Sequence, residues 1–277
     1  FFFKQKTAYE ISTRDWSSDV CSSDLHGLAR SEDILGLIEH RRGHSAEAEA
    51  AWTRGEAAIA AGASHAVTDG RLTQLGASIL HDRGTALRER GDSAAALDVF
   101  RRELTIIEAL LRDQPNDLAL RHNLAITHRS IGDTELAAGS LDAADAAFAR
   151  SSEIADALAR ENPGNSLLRR DYTLSRERAG EALVRRGDLA GAMAAFRQGQ
   201  ETALALLETD PANLGWRFDV AIGHREIGDV LQASKDPKGA ADAYRRALDI
   251  DAELVARDPG NEQWLHNLDD EIGRAHV

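Results

Sequence analysis

Apolar residues recur along most of the chain at the spacing of one helix face. Between residues 117 and 164 there are two such runs. The first carries Leu120, Leu124, Ile131 and Leu136, and the second carries Ala144, Phe148, Ile154 and Leu158. Gly139-Ser140 interrupts the pattern between them, and Asn162-Pro163-Gly164 ends it, since proline stops a helix and pushes the preceding residue to an extended form. Asp117 and Ser140 stand just before the runs, and their side-chain oxygens suit the free N–H groups of a helix start. The pattern predicts two helices of roughly 20 residues, each roughly 30 Å long, folded as a hairpin.

The hairpin repeats in one register. Pro115, Pro163, Pro211 and Pro259, four of the five prolines, are each 48 residues apart. The same step links Gly36, Gly84, Gly132, Gly180 and Gly228, and it links Trp52, Phe100, Phe148, Phe196 and Tyr244. It also links Ala48, Ala96, Ala144, Ala192 and Ala240. Candidate caps follow suit: Asp69, Asp117, Asn165, Asn213 and Asn261 before the first helix, and Asp92, Ser140, Asp188 and Asp236 before the second. A glycine inside a helix costs about 1 kcal/mol relative to alanine. A whole column of them predicts close approach of the two helices of each hairpin. The resulting expectation is an all-α, right-handed superhelical solenoid of antiparallel helix hairpins with about five repeats. The units are 26–68, 69–116, 117–164, 165–212 and 213–260, with a partial unit at 261–271.

The Gly column, followed 12 residues later by Ala-x-x-x-aromatic as in Ala144–Phe148, resembles the tetratricopeptide repeat, although that family's period is about 34 residues. The resemblance implies a concave face lined by the first helices, with inward residues at fixed offsets from each glycine. Carried over, the groove comprises His81 and Arg88, then Arg129, Asp133 and Leu136, then Glu177 and Glu181, then Arg225, Asp229 and Gln232. Its charges suit electrostatic recognition of an extended peptide or a helix. The bland account is a solvated helix face, with Arg129–Asp133 and Arg225–Asp229 paired four residues apart on their own helices. Long units of this kind also look like those attached to bacterial signalling enzymes such as Ser/Thr kinases.

Candidate chemistry is sparse. No Gly-rich phosphate loop and no nucleophile motif is present, so no catalytic, cofactor-binding or metal residue is assigned. His40 and His44 have a metal-like spacing, but Gly43 between them marks a turn that takes them off a common face.

Composition changes the picture mainly at the two ends. The only Cys, Cys21, lies in the first 25 residues, a stretch with no helical or strand period. Residues 1–25 read as translated sequencing adapter without a native fold, and residues 272–277, IGRAHV, read as the complementary adapter. The reading makes 26–271 a fragment of a bacterial protein, its Arg- and Ala-rich composition pointing to a GC-rich genome. Setting the ends aside removes four basic residues (Lys4, Lys6, Arg14, Arg274) and four acidic ones (Glu10, Asp15, Asp19, Asp24), so the net charge stays at −13. That acidity argues against a nucleic-acid partner, and no apolar run is long enough for a membrane span. The sequence therefore reads as a cytoplasmic, non-enzymatic scaffold that binds a protein or peptide, a cationic one included. The alternative is the regulatory or docking region of a larger signalling enzyme, a Ser/Thr kinase or cyclase.

Overall fold

The computed structural model describes residues 22–64 and 70–275. Those residues form eleven helices and no strand. They are α1 (Ser22–Arg41), α2 (Ser45–Ser64), α3 (Gly70–Glu89), α4 (Ser93–Asp113), α5 (Leu118–Ala137), α6 (Leu141–Glu161), α7 (Ser166–Arg186), α8 (Leu189–Thr209), α9 (Leu214–Ala233), α10 (Pro237–Arg257) and α11 (Glu262–Ala275). Each helix from α5 to α10 has 20 or 21 residues, as the cap spacing predicts. The chain divides into two compact units, Phe1–Ala86 and Leu87–Val277, and the division falls within α3.

The caps show why the helices start where they do. Asp117 accepts from the Leu120 N–H, Asn213 from Trp216 and Asn261 from Trp264, each at the start of a first helix and three residues before the bonded amide. Asp92, Asp188 and Asp236 do the same for the second helices. Ser140 is the exception: it stands at the start of α6 with no side-chain cap hydrogen bond. Asp69 lies outside the described residues. The turns inside the hairpins need a left-handed backbone at one position, filled by Gly43, Gly91, Gly139 and Gly187 and, in the fifth repeat, by Lys235 at φ 63°.

In the first unit α1 packs on α2, and Ala29, Ala48, Trp52, Ala58, Ile79 and Ala86 form the core. Arg83 of α3 bridges two carboxylates of α2, Glu49 at 2.8 Å and Glu56 at 2.6 Å. The expected boundary at residue 25 is not a structural one. Residues 22–25 are the first turn of α1, and Leu25 is 1% exposed, beside Gly62 and the core. At the other end α11 runs through residues 272–275. Residues 1–21 and 276–277 of the two adapter-like stretches lie outside the described residues.

In the second unit each helix from α4 to α11 packs on the next, and α5 also touches α7. The apolar contact spans a hairpin and the first helix that follows it: Leu136, Ala144 and Phe148 cluster with Ala182 of α7, and Ala192 and Phe196 cluster with Val230 of α9. Between hairpins the buried contacts are partly polar. The Thr127 hydroxyl donates to Glu103 at 2.8 Å, and Ser151 bonds Ser175 at 3.0 Å. These pairs connect each second helix to the first helix of the following repeat.

The glycine column takes up the aromatic ring itself. A Cβ at Gly132 would sit 2.5 Å from the Phe148 ring, and one at Gly228 would sit 2.5 Å from the Tyr244 ring. Gly36 stands in the same relation to Trp52, and Gly180 to Phe196. The ring packs flat where a side chain would be, rather than in a groove beside it. Gly132→Ala should therefore destabilise the chain by about 1–3 kcal/mol, because the buried ring must shift; a lowered denaturant midpoint checks this. Ser140→Asp should do the opposite, raising stability by about 0.5–1 kcal/mol by supplying the missing cap.

Candidate functional site

The first helices of the second unit, α5, α7 and α9, carry most of the residues expected in the groove. His81 lies in the first unit, half-buried and engaged. His44 and His40, the discounted metal pair, are also there: His44 lies in the turn with Nδ1 2.6 Å from Glu39, and His40 stands 6.2 Å from the Trp52 ring.

Two expectations need correction. Leu136 is a core residue, 6% exposed against Phe148 and Ala182, because the last turn of α5 leans into the hairpin. The arginines expected to pair four residues apart also pair between helices. Arg129 reaches Asp171 of α7 at 3.8 Å, and Arg225 reaches the fully buried Asp251 of α10 at 2.8 Å. Asp229 also accepts from the Tyr244 hydroxyl at 2.8 Å. An exposed pair on one helix is worth only about 0.3–0.5 kcal/mol, so a carboxylate on a neighbouring helix, less exposed to water, competes well. The Tyr244 hydroxyl is also 2.8 Å from Gln232 Oε1. One phenolic proton cannot serve both acceptors, so the Gln232 amide is best turned to donate.

The first helices are also joined directly, in a register one residue longer than the repeat. His122 Nε2 lies 2.6 Å from Asp171, and Arg170 grips both oxygens of Asp219 at 2.7 and 3.0 Å. Each pair spans 49 positions and so links successive first helices. Arg185 extends the series by donating to the Leu136 carbonyl at 3.4 Å, near the C-terminal end of α5.

Between these rungs lies a cluster of carboxylates. Arg178 Nη1 donates to both oxygens of Glu181, at 2.8 and 2.9 Å, and Arg178 Nε is 3.6 Å from Asp133. Arg88 is half-buried, and its charge also acts on Asp133. Burial pushes the Asp133 carboxyl above its usual range, with Arg178, Arg88 and Arg129 pulling the other way. Glu177 is 8% exposed. Burial, reinforced by the Asp219 charge, pushes its carboxyl up to about 8 against the opposing pull of Arg178 and Arg170. Glu226 of α9 is raised well above a normal glutamate, first by burial and then by Glu177 and Glu181.

Arg178 and Glu226 are functional candidates that the carried-over offsets miss. They stand two residues before the repeat glycine, and Ser130 holds the same place in α5. A column running Ser130, Arg178, Glu226 was visible in the sequence, but nothing in its spacing says it faces the groove. Tyr244 was read as packing alone, although it is the one phenol in its column.

Chemically the face can attract and hold positive charge. Among the described residues no group of three His, Cys, Asp or Glu side chains is arranged to hold a metal ion. No described helix is long and apolar enough to cross a membrane.

Residues 77–142 match the tetratricopeptide repeat family. No curated protein matches the chain in sequence. Among solved structures, the chain is similar to a putative kinesin light chain with nearly identical tetratricopeptide-like repeats from Podosopora anserina (18% identity, 84% of this chain and 98% of that one, TM-score 0.59). It is similar to the apo form of RapI (14% identity, 97% of this chain and 70% of that one, TM-score 0.58). It is also similar to a signal transduction ATPase with numerous domains and a tetratricopeptide repeat sensor from Pyrococcus horikoshii. There the identity is 12% over 91% of this chain, with a TM-score of 0.62, and the match spans 37% of that protein.

The raised carboxyls give a pH signature. A glutamate whose folded-state pKa lies above its unfolded value binds more protons when folded. Its contribution to stability is full below about 4.5 and is lost as pH rises to about 8. Glu177→Gln should therefore stabilise the chain more at pH 8 than at pH 5, as measured by denaturant melts at the two pH values.

Residues 77–142 carry the tetratricopeptide-repeat match, and the 48-residue hairpin units and the glycine–aromatic contacts give the described residues a tetratricopeptide-like helical-repeat fold, of a kind that generally serves as a protein–protein interaction scaffold.

Proposed function

We propose that the chain is a binding scaffold that takes a peptide or protein segment on the concave, first-helix face of its second unit, formed by α5, α7 and α9. The observation that carries the reading is the acid excess there. Asp133, Glu177, Glu181, Glu226 and Asp229 stand on these three helices, and Arg178 bonds Glu181 and lies near Asp133. Arg129 and Arg225 also reach Asp171 and Asp251, so their charge is shared with carboxylates outside this set. A cationic segment fits this face, attracted over roughly a Debye length of about 8 Å at physiological salt.

A second reading is supported by the likeness to the Pyrococcus horikoshii ATPase, whose repeat sensor is one part of a larger signalling protein. In that reading the scaffold is the docking or regulatory region of a bacterial signalling enzyme, and the gene sequence on either side would contain a catalytic domain. An isolated reading frame with no such domain would overturn this second reading.

The test of the scaffold uses the full chain as bait for a displayed library of twelve-residue peptides. Enriched peptides should slow backbone hydrogen exchange in α5, α7 and α9. Protection confined to α6, α8 and α10, or no enrichment, overturns the proposal. Reversing Asp133, Glu181 and Asp229 to Lys together should weaken the enriched peptides by roughly 10- to 100-fold, at up to about 1 kcal/mol per exposed charge. Far-UV circular dichroism should stay unchanged.

A further inference from the structure

We propose that Glu177 and Glu226 together form an anchor pocket for one Lys or Arg side chain of the bound segment. The inference rests on the scaffold reading above and adds the chemistry of its central contact.

Glu177 is the unusual residue. It is 8% exposed, yet it makes no hydrogen bond and no ion pair among the described residues. Glu226, on the next first helix, has an Oε2 atom that is shut off from solvent and has no hydrogen-bond partner. A buried polar group without a partner costs about 1–3 kcal/mol, and more if charged. Glu226 stands 49 positions after Glu177, the register in which Arg170 meets Asp219, and the two carboxylates act on each other. The cost is relieved when a donor with positive charge enters.

The cations that act most on the pair are each bonded to another carboxylate. Arg178 is held by Glu181 and lies near Asp133, and Arg170 is held at both ends of the Asp219 carboxylate. Arg225 bonds Asp251. Arg178 and Arg170 pull against the raised Glu177 carboxyl without offsetting its burial, and among the described residues no cation hydrogen-bonds Glu177 or Glu226 Oε2, so a basic side chain supplies the missing partner. A divalent metal fits less well, since no three-ligand group exists among the described residues.

The charges that act most on the pair sit on α7 and α9: Arg170, Arg178 and Glu181 on the former, Asp219 and Asp229 on the latter. On α5, Asp133 and Arg129 stand nearest in the network, by way of Arg178 and Asp171. No charge from α6, α8 or α10 is among the strongest acting on either glutamate. The neighbouring histidines are engaged elsewhere, His122 with Asp171 and His224 with Gln200 of α8. Burial favours the protonated form of both glutamates, so a cation that enters must drive a proton out. Binding is then coupled to proton release, and affinity rises with pH across the neutral range. A face of ordinary, fully ionised carboxylates would show no such rise.

The experiment uses peptides enriched on the full chain from the twelve-residue library, each paired with a copy in which its basic residues are changed to Gln. Binding is measured at pH 7.0 and 8.5 to the native chain and to the Glu177→Gln, Glu226→Gln double variant. That variant keeps side-chain shape and removes two buried acids, so it should fold, as circular dichroism will show. We expect one basic residue common to the peptides, and a loss of tenfold or more when that residue becomes Gln. We expect a similar loss on the double variant, and several-fold tighter binding at pH 8.5 on the native chain alone. Peptides that protect α5, α7 and α9 from exchange, yet bind the double variant equally well or need no basic residue, overturn the anchor and leave the scaffold reading standing. Spermidine that binds as tightly as the peptides overturns it in favour of a free polyamine site. Absence of protection on those helices overturns the scaffold reading itself.

Discussion

In the described repeats an aromatic ring of the second helix occupies the place where a side chain of the first helix would be. Phe148 lies over Gly132, Phe196 over Gly180, Tyr244 over Gly228 and Trp52 over Gly36. The rest of each repeat depends on this contact. It sets how closely the hairpin closes, and so where the remaining faces of the two helices point. The glycine's helix-propensity cost of about 1 kcal/mol is offset by burial of an aromatic side chain, worth about 1.5–3 kcal/mol. Ala144, Ala192 and Ala240, one turn before the ring, are buried with it and keep the second helix thin at the crossing.

The aromatic rings are buried inside the hairpins and against the first helix that follows, and the first helices of the second unit also meet one another through polar groups. His122–Asp171 and Arg170–Asp219 are rungs of one ladder, in which each step advances one residue beyond the repeat. These rungs take up some charges and leave others. Asp133, Glu177, Glu181 and Glu226 remain, with Arg178 acting on all four, and burial pushes the Glu177 and Glu226 carboxyls up. The tension in the face is thus a by-product of which charges the ladder consumes. Tyr244 adds a local variation: it keeps the packing role of its column while its hydroxyl ties Asp229 and Gln232 to the second helix.

Much of this architecture is legible without coordinates. The 48-residue step, the caps at Asp117, Asn213 and Asp188, and the helix lengths all follow from local chemistry, which a sequence records directly. The face is less legible. Counting offsets from the glycine picks out Arg129, Asp133, Glu177 and Glu181 of the first helices, but it also picks Leu136, which is core, and it passes over Arg178 and Glu226. An offset specifies direction around one helix only to within about a residue, and a boundary between core and groove is narrower than that. Helix α1 runs through the expected division at residue 25, and Leu25 finds a buried place.

The amino-acid sequence by itself determined the repeat, its hairpin and the close approach at each glycine, because these depend on residues near in the chain and on a period that five copies make plain. Only the tertiary structure decided which charges are paired. Arg129 and Arg225 each had an acid four residues away on the same helix, and each also reaches a carboxylate on another helix, 42 and 26 positions away. The choice rests on burial and on distance across helices, which weigh differently for every carboxylate and leave no trace in sequence spacing.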